Sequence, residues 1–145
     1  MDLSLKQLSK LEPAELILAR TQALERAQFR FVYASYHPDS NFRRNFKCCN
    51  DYLSHAHTET SVAPQIDECR ILSEHVESSM ARVLYRMHIT LEDGTESGYY
   101  EVAELRCDKG GWRYLRGFKV PLHELSTLRA EHISYELIIQ RGICF

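Results

Sequence analysis

Histidine, glutamate and arginine are the side chains best suited to move a proton or hold an anion, and three of them stand out here by position. His37 closes the stretch "YASYHPDS" and is followed directly by Pro38. Proline disfavours helical dihedrals in the residue before it, so His37 is expected at a helix end with its ring aimed at one target. An imidazole titrates near neutral pH and can donate, accept or exchange a proton. The plainer role is a helix-terminal cap, in which imidazolium interacts with exposed carbonyls by about 0.3–1 kcal/mol. Glu101 belongs to the alternation Tyr99, Glu101, Ala103, Leu105. That spacing reads as the inward face of a strand, so its carboxylate is a candidate for burial and needs a partner, with Arg20 or His37 available. His37 and Glu101 are therefore the candidate proton-transfer pair. A structural salt bridge is the competing reading, because ion pairs perturb acid–base behaviour as well.

Around these groups runs an aromatic set: Tyr33, Tyr36, Tyr85, Tyr99, Trp112 and Tyr114. Such residues can line a pocket with apolar walls and a few orienting hydroxyls, although most aromatics of a small domain belong to its core or rim. The segment "CCNDYLSHAH" places Cys48, Asp51 or Tyr52, and His55 on one side of a helix, a spacing compatible with metal ligands. A closed zinc site needs about four ligands and no second cysteine pair supplies them, so no metal and no other cofactor is expected. No "GxSxG" elbow or phosphate-cradling glycine loop is present, which leaves nucleophilic hydrolysis without support.

The chain has 145 residues, 44% hydrophobic and 26% charged, as expected of one folded domain spanning 1–145. A formal charge of −2 with scattered arginines gives no basic stripe for nucleic acid. The opening "MDLSLKQLSKLEPAEL" is charged and amphipathic, and no run approaches the ~20 apolar residues that cross a bilayer. No nucleic-acid or membrane partner is expected, and the expected location is the cytoplasm. Cys48, Cys49, Cys69, Cys107 and Cys144 form an odd set without C-x-x-C spacing, read as free thiols.

The elements that must position the candidate residues follow from periodicity. After Pro13, an N1 proline, Leu16, Ile17, Ala19, Ala23, Leu24 and Ala27 recur at helical spacing. "QFRFVYASY" predicts a second helix that Pro38 ends, and "NFRRNFKCCNDYLSHAH", capped by Ser40, predicts a third. The texture changes after Pro64. "ARVLYRMHIT" alternates Ala81, Val83, Tyr85, Met87 and Ile89 against a more polar set, the two-residue period of a half-buried strand. With "QIDECRILSEHVE" before it, and "YYEVAELRC" and "WRYLRGF" after the turns "LEDGTESG" and "DKGG", an antiparallel meander results. The segment 121–142 has helical spacing and a glycine stop at Gly142, making it a C-terminal helical extension. Helices followed by a meander give an α+β domain with helices across one face of a curved antiparallel sheet.

Two blocks carry a family resemblance. "EPAELILARTQALERAQFRFVYASYHP" is similar to the YchJ-like pattern of Pro, Leu, Arg, Ala, an aromatic and a closing aromatic-His-Pro, here Pro13, Leu16, Arg20, Ala23, Phe31 and Tyr36-His37-Pro38. "YEVAELRCDKGGWRYLRG" resembles that family's closing hairpin, with Glu101, Trp112, Tyr114 and Gly117 at matching positions. The similarity spans about residues 12–118. It implies the cone-shaped fold of nuclear transport factor 2-like domains, with a pocket inside the cone. The zinc of the family's flanking SEC-C segments is not carried over, since no "CPCG"-type stretch accompanies the blocks.

These readings converge on a protein that binds a small polar or aromatic molecule without catalysis. The expected ligand-facing residues are Arg20, Tyr33, Tyr36, His37, Tyr85, Glu101 and Trp112. One alternative is a lyase, isomerase or hydrolase using His37 and Glu101 for proton transfer. Another is a protein-interaction module or homodimer built on the sheet or on the apolar tail "ISYELII".

Overall fold

A computed structural model describes residues 4–59 and 65–145. The change of texture placed at Pro64 lies outside the described residues. A short helix α1 (Leu5–Leu8) precedes α2 (Pro13–Glu25), α3 (Phe29–Ser35), α4 (Asn41–Asn45) and α5 (Cys49–Glu59). Four long strands follow: β1 (Gln65–Glu77), β2 (Met80–Thr90), β3 (Glu96–Asp108) and β4 (Gly111–Pro121). Two 3-10 turns, at Leu122–Leu125 and Ala130–His132, lead to α6 (Tyr135–Arg141) and the two-residue β5 (Ile143–Cys144). The sheet is antiparallel throughout, in the order β1-β2-β3-β4-β5, with β1 and β5 as open edges. The architecture is α+β, with helices on a curved, unclosed sheet. Among the described residues no helix is long and apolar enough to cross a membrane.

Local chemistry explains the first helices. Pro13 occupies N1 of α2, where its missing N–H has no intrahelical role. The Glu15 carboxylate accepts the Glu12 N–H at 3.0 Å, and Glu74 on β1 accepts the Ala14 N–H at 3.0 Å, tying the helix start to the sheet. Leu16, Ile17 and Ala23 are buried against Val83, Ala103 and Leu105 in one cluster. The third predicted helix is two. At Phe46 the backbone turns extended, the Phe46 carbonyl accepts the Tyr33 hydroxyl at 3.2 Å, and the Phe46 ring packs on Tyr52 and His55. A tertiary hydrogen bond and aromatic packing thus replace helix continuation. Cys48 falls in the break, so it does not share a helix with His55.

The sheet is covered on both faces, where the sequence reading placed helices across one. Val83, Tyr85 and Met87 of β2 and Ala103 and Leu105 of β3 face the N-terminal helices. Their neighbours Leu84, Val102 and Val120 pack with Leu125, Ile133 and Ile138 in a second cluster made by the tail. The apolar residues of "ISYELII" are therefore engaged on the chain's own sheet. The extension is helical only over α6, because Ser126, Thr127, Ile133 and Ser134 are weak helix formers that favour turns and caps. Ser134 caps α6, its hydroxyl accepting the Leu137 N–H at 3.2 Å.

One irregularity decides which β4 side chains reach the helix side. Leu105 pairs with Tyr114 but Glu104 pairs with Arg116, leaving Leu115 as an extra bulged residue. Side-chain parity switches there. Trp112 and Tyr114 before the bulge face the helices, and after it the residues opposite Ala103 and Glu101, namely Gly117 and Lys119, share that face.

Candidate functional site

Between α2 and the helix-facing side of the sheet lies a cavity of about 460 Å³. Helix α2 contributes Ile17, Arg20, Thr21 and Leu24; β2 contributes Tyr85 and Met87; β3 contributes Tyr99 and Glu101. From β4 come Tyr114, Leu115 and Lys119, and the segment from Tyr36 into α4 adds Phe42 with the exposed rim residues Asn41 and Asn45. Cys144 and Phe145, beyond the tail helix, complete the wall.

Arg20 is the organising cation. It sits on the buried stripe of α2 and is 8% exposed. Its guanidinium carbon lies 4.3 Å from the Tyr36 ring centroid and 4.2 Å from that of Tyr114, so two π-faces hold it. Cation–π contacts of this kind contribute about 2 kcal/mol or more when desolvated. The clamp is built from main chain. Tyr36 and Tyr114 form a parallel β-bridge, and the His37 N–H donates to the Tyr114 carbonyl at 2.7 Å. Arg20 also donates to the Ser35 hydroxyl, which in turn donates to the Val32 carbonyl. Burial acts to lower the Arg20 pKa, but interactions with Tyr36 and Tyr114 outweigh it and the net direction is upward. The side chain stays charged.

Glu101, 1% exposed, is the anion. Its Oε2 accepts the Tyr114 hydroxyl at 2.6 Å and its Oε1 lies 3.8 Å from Lys119 Nζ. Gly117 makes that bond possible, since a Cβ there would fall inside the van der Waals envelope of both the Tyr114 hydroxyl and the Glu101 carboxylate. Burial first, and the Glu101 charge second, push the Tyr85, Tyr99 and Tyr114 hydroxyls upward in pKa. All three remain neutral donors over the physiological range. Lys119 carries its ammonium 4.7 Å from the Tyr99 ring centroid and 4.5 Å from that of Phe145.

Of the residues singled out in the sequence, Arg20, Tyr36, Tyr85 and Glu101 line this cavity, together with Tyr99 and Tyr114 of the aromatic set. His37, Tyr33 and Trp112 are not part of its lining. His37 is buried, but Nδ1 accepts the Asp39 N–H at 3.0 Å and Nε2 hydrogen-bonds the Asp108 carboxylate at the end of β3. With Nδ1 accepting, the proton resides on Nε2. Both ring nitrogens are engaged away from Glu101. Tyr33 lies behind the wall, with its hydroxyl on the Phe46 carbonyl and Arg43 stacked over its ring at 4.1 Å. Trp112 belongs to the core near the β3–β4 turn. Among the described residues, no group of three or more His, Cys, Asp or Glu side chains is arranged to hold a metal ion.

Sequence reasoning overlooked Lys119, Gly117 as the support for the Tyr114–Glu101 bond, and Phe145. Counting pairs outward from "DKGG" without a bulge sets Glu101 opposite Phe118, whereas the extra residue Leu115 brings Lys119 there. The usable signal was Arg116, an exposed charge that interrupts the alternation Trp112, Tyr114, Phe118, Val120 in "WRYLRGFKV".

Residues 12–117 match the protein family described as "YchJ, middle NTF2-like domain". A solution structure of a SEC-C motif containing protein from Rhodopseudomonas palustris shares the fold, with a TM-score of 0.57 at 18% identity over 78% of this chain and 86% of that one. No curated protein matches the chain.

Proposed function

Because the chain belongs to the family of YchJ middle NTF2-like domains, we propose that it is a non-catalytic binding protein for a small polar or aromatic molecule. The ligand enters the cone-like space enclosed by α2 and the sheet. One observation carries the reading: a cavity of about 460 Å³ walled by aromatic rings and holding a buried guanidinium and a buried carboxylate. Small-molecule sites typically run from ~300 to ~1,000 Å³ and combine apolar walls with a few placed polar groups. Proton-transfer chemistry by a His37–Glu101 pair has no support in the geometry, since both His37 nitrogens are engaged at Asp39 and Asp108. A cytoplasmic location is part of the proposal, supported by five free cysteines.

The test is a thermal-shift and calorimetric screen of small aromatic and polar metabolites on the wild type and on Asn45→Trp. Asn45 is an exposed rim residue, so an indole there obstructs the mouth while stability changes by no more than about 0.5 kcal/mol. Compounds that stabilise the wild type are expected to lose their effect in the variant. Hits bound equally by both proteins contradict the reading.

A further inference from the structure

We infer that the cavity's ligand is a small aromatic monocarboxylate whose carboxylate binds Arg20, an inference that rests on the binding role proposed above. The charges in the cavity do not balance. Glu101 and Lys119 face each other at 3.8 Å and neutralise one another. Arg20 has no carboxylate within ion-pair distance among the described residues. Its protein partners are the two rings and the Ser35 hydroxyl, none of them anionic. One positive charge therefore remains inside a largely buried space, where an unpaired charge is unfavourable and a matching anion gains most.

The guanidinium selects the anion. Tyr36 and Tyr114 stand nearly perpendicular, at 81° with centroids 5.3 Å apart, and flank Arg20 on adjacent sides without sandwiching it. Arg20 also lines the cavity, and planar carboxylates are the partners that guanidinium forks fit best. Glu101, on the sheet wall of the same cavity, repels a second negative charge, which disfavours dianions and dicarboxylates. Beside it on the sheet, Tyr85, Tyr99 and Met87 offer a largely apolar floor with neutral hydroxyl donors, suited to an aromatic ring with a hydroxyl or similar substituent. The Glu101 carboxylate can then accept a hydrogen bond from that substituent.

The experiment is calorimetric titration with matched acid–amide pairs, headed by 4-hydroxybenzoate and 4-hydroxybenzamide, at pH 7 and low salt. The acids are expected to bind at least about tenfold tighter than their amides, as charge-assisted pairing in a desolvated site requires. Arg20→Gln is expected to abolish that preference, and Arg129→Gln, at an exposed arginine outside the cavity, to retain it. Because Arg20→Gln removes a buried clamp and can fail to fold, the wild-type Arg20 Nε–H resonance is followed in parallel. It is expected to move with 4-hydroxybenzoate and stay in place with the amide. Equal affinities within the pairs overturn the anion inference while leaving ligand binding intact. Binding of no member of any pair overturns both. A preference for acids with an unmoved Arg20 resonance also overturns the assignment to Arg20.

Discussion

Glu101 and Val102 are adjacent on β3 and look out from opposite faces of one sheet, and the two faces are finished in different ways. On the tail side, Val102 joins Leu84, Val120, Leu125, Ile133 and Ile138 in a cluster of aliphatic side chains. On the helix side, Glu101 shares its face with Tyr85, Tyr114, Lys119 and the buried Arg20 around about 460 Å³ of space. A void and a set of buried charges both lower stability relative to close-packed aliphatics. The helix side combines the larger apolar cluster with a cavity and buried charges, whereas the buried residues of the tail-side cluster are all aliphatic. The difference lies in what each face adds to its packing.

The largest expected effect tests the tail side. Ile138 is fully buried in the aliphatic cluster, so Ile138→Ala is expected to destabilise the fold by about 2–5 kcal/mol in urea unfolding. A loss under about 1 kcal/mol would mean the tail does not secure the sheet. Next is Gly117→Ala on the helix side, which forces the Tyr114–Glu101 hydrogen bond apart. The expected destabilisation is about 1–3 kcal/mol. Ligand binding should weaken in this variant and stay unchanged in Ile138→Ala wherever that protein remains folded.

A smaller effect separates the faces by pH. Tyr85 and Tyr114 have pKa values pushed well above 10 by burial first and Glu101 second. Unfolded tyrosine ionises near pH 10, so above that pH the unfolded state holds fewer protons than the folded one. The stabilisation is complete below pH 10 and falls as pH rises past it, by about 1.4 kcal/mol per pH unit for each such tyrosine. Urea midpoints measured from pH 9 to 12 should show this decline, and Tyr85→Phe should make it shallower. An unchanged slope would mean that Tyr85 is open to solvent.

Much of the helix side was legible because its signals are local. Pro13 and the apolar stripe mark α2, the alternation through Val83, Tyr85 and Met87 marks β2, and the same period singles out Glu101 as buried. The tail side was hidden. Leu84 stands in the polar half of the β2 alternation, and nothing near it in sequence says that Ile138, more than fifty positions on, covers it. His37 was misdirected for a related reason: its partner Asp108 sits at a hairpin end that only the folded sheet brings to the α3 terminus. Lys119 was displaced by a single bulged residue, which shifts pairing without altering composition. Local periodicity reports which face a residue takes, whereas the cover on that face is a long-range property.

The most direct test of two differently finished faces is a backbone-amide chemical-shift map recorded while 4-hydroxybenzoate is titrated in. Shifts are expected at Arg20, Tyr36, Tyr85 and Tyr114, with the amides of Leu125, Ile133 and Ile138 unmoved. Shifts concentrated on the tail residues, or none anywhere at saturating concentration, would contradict the account.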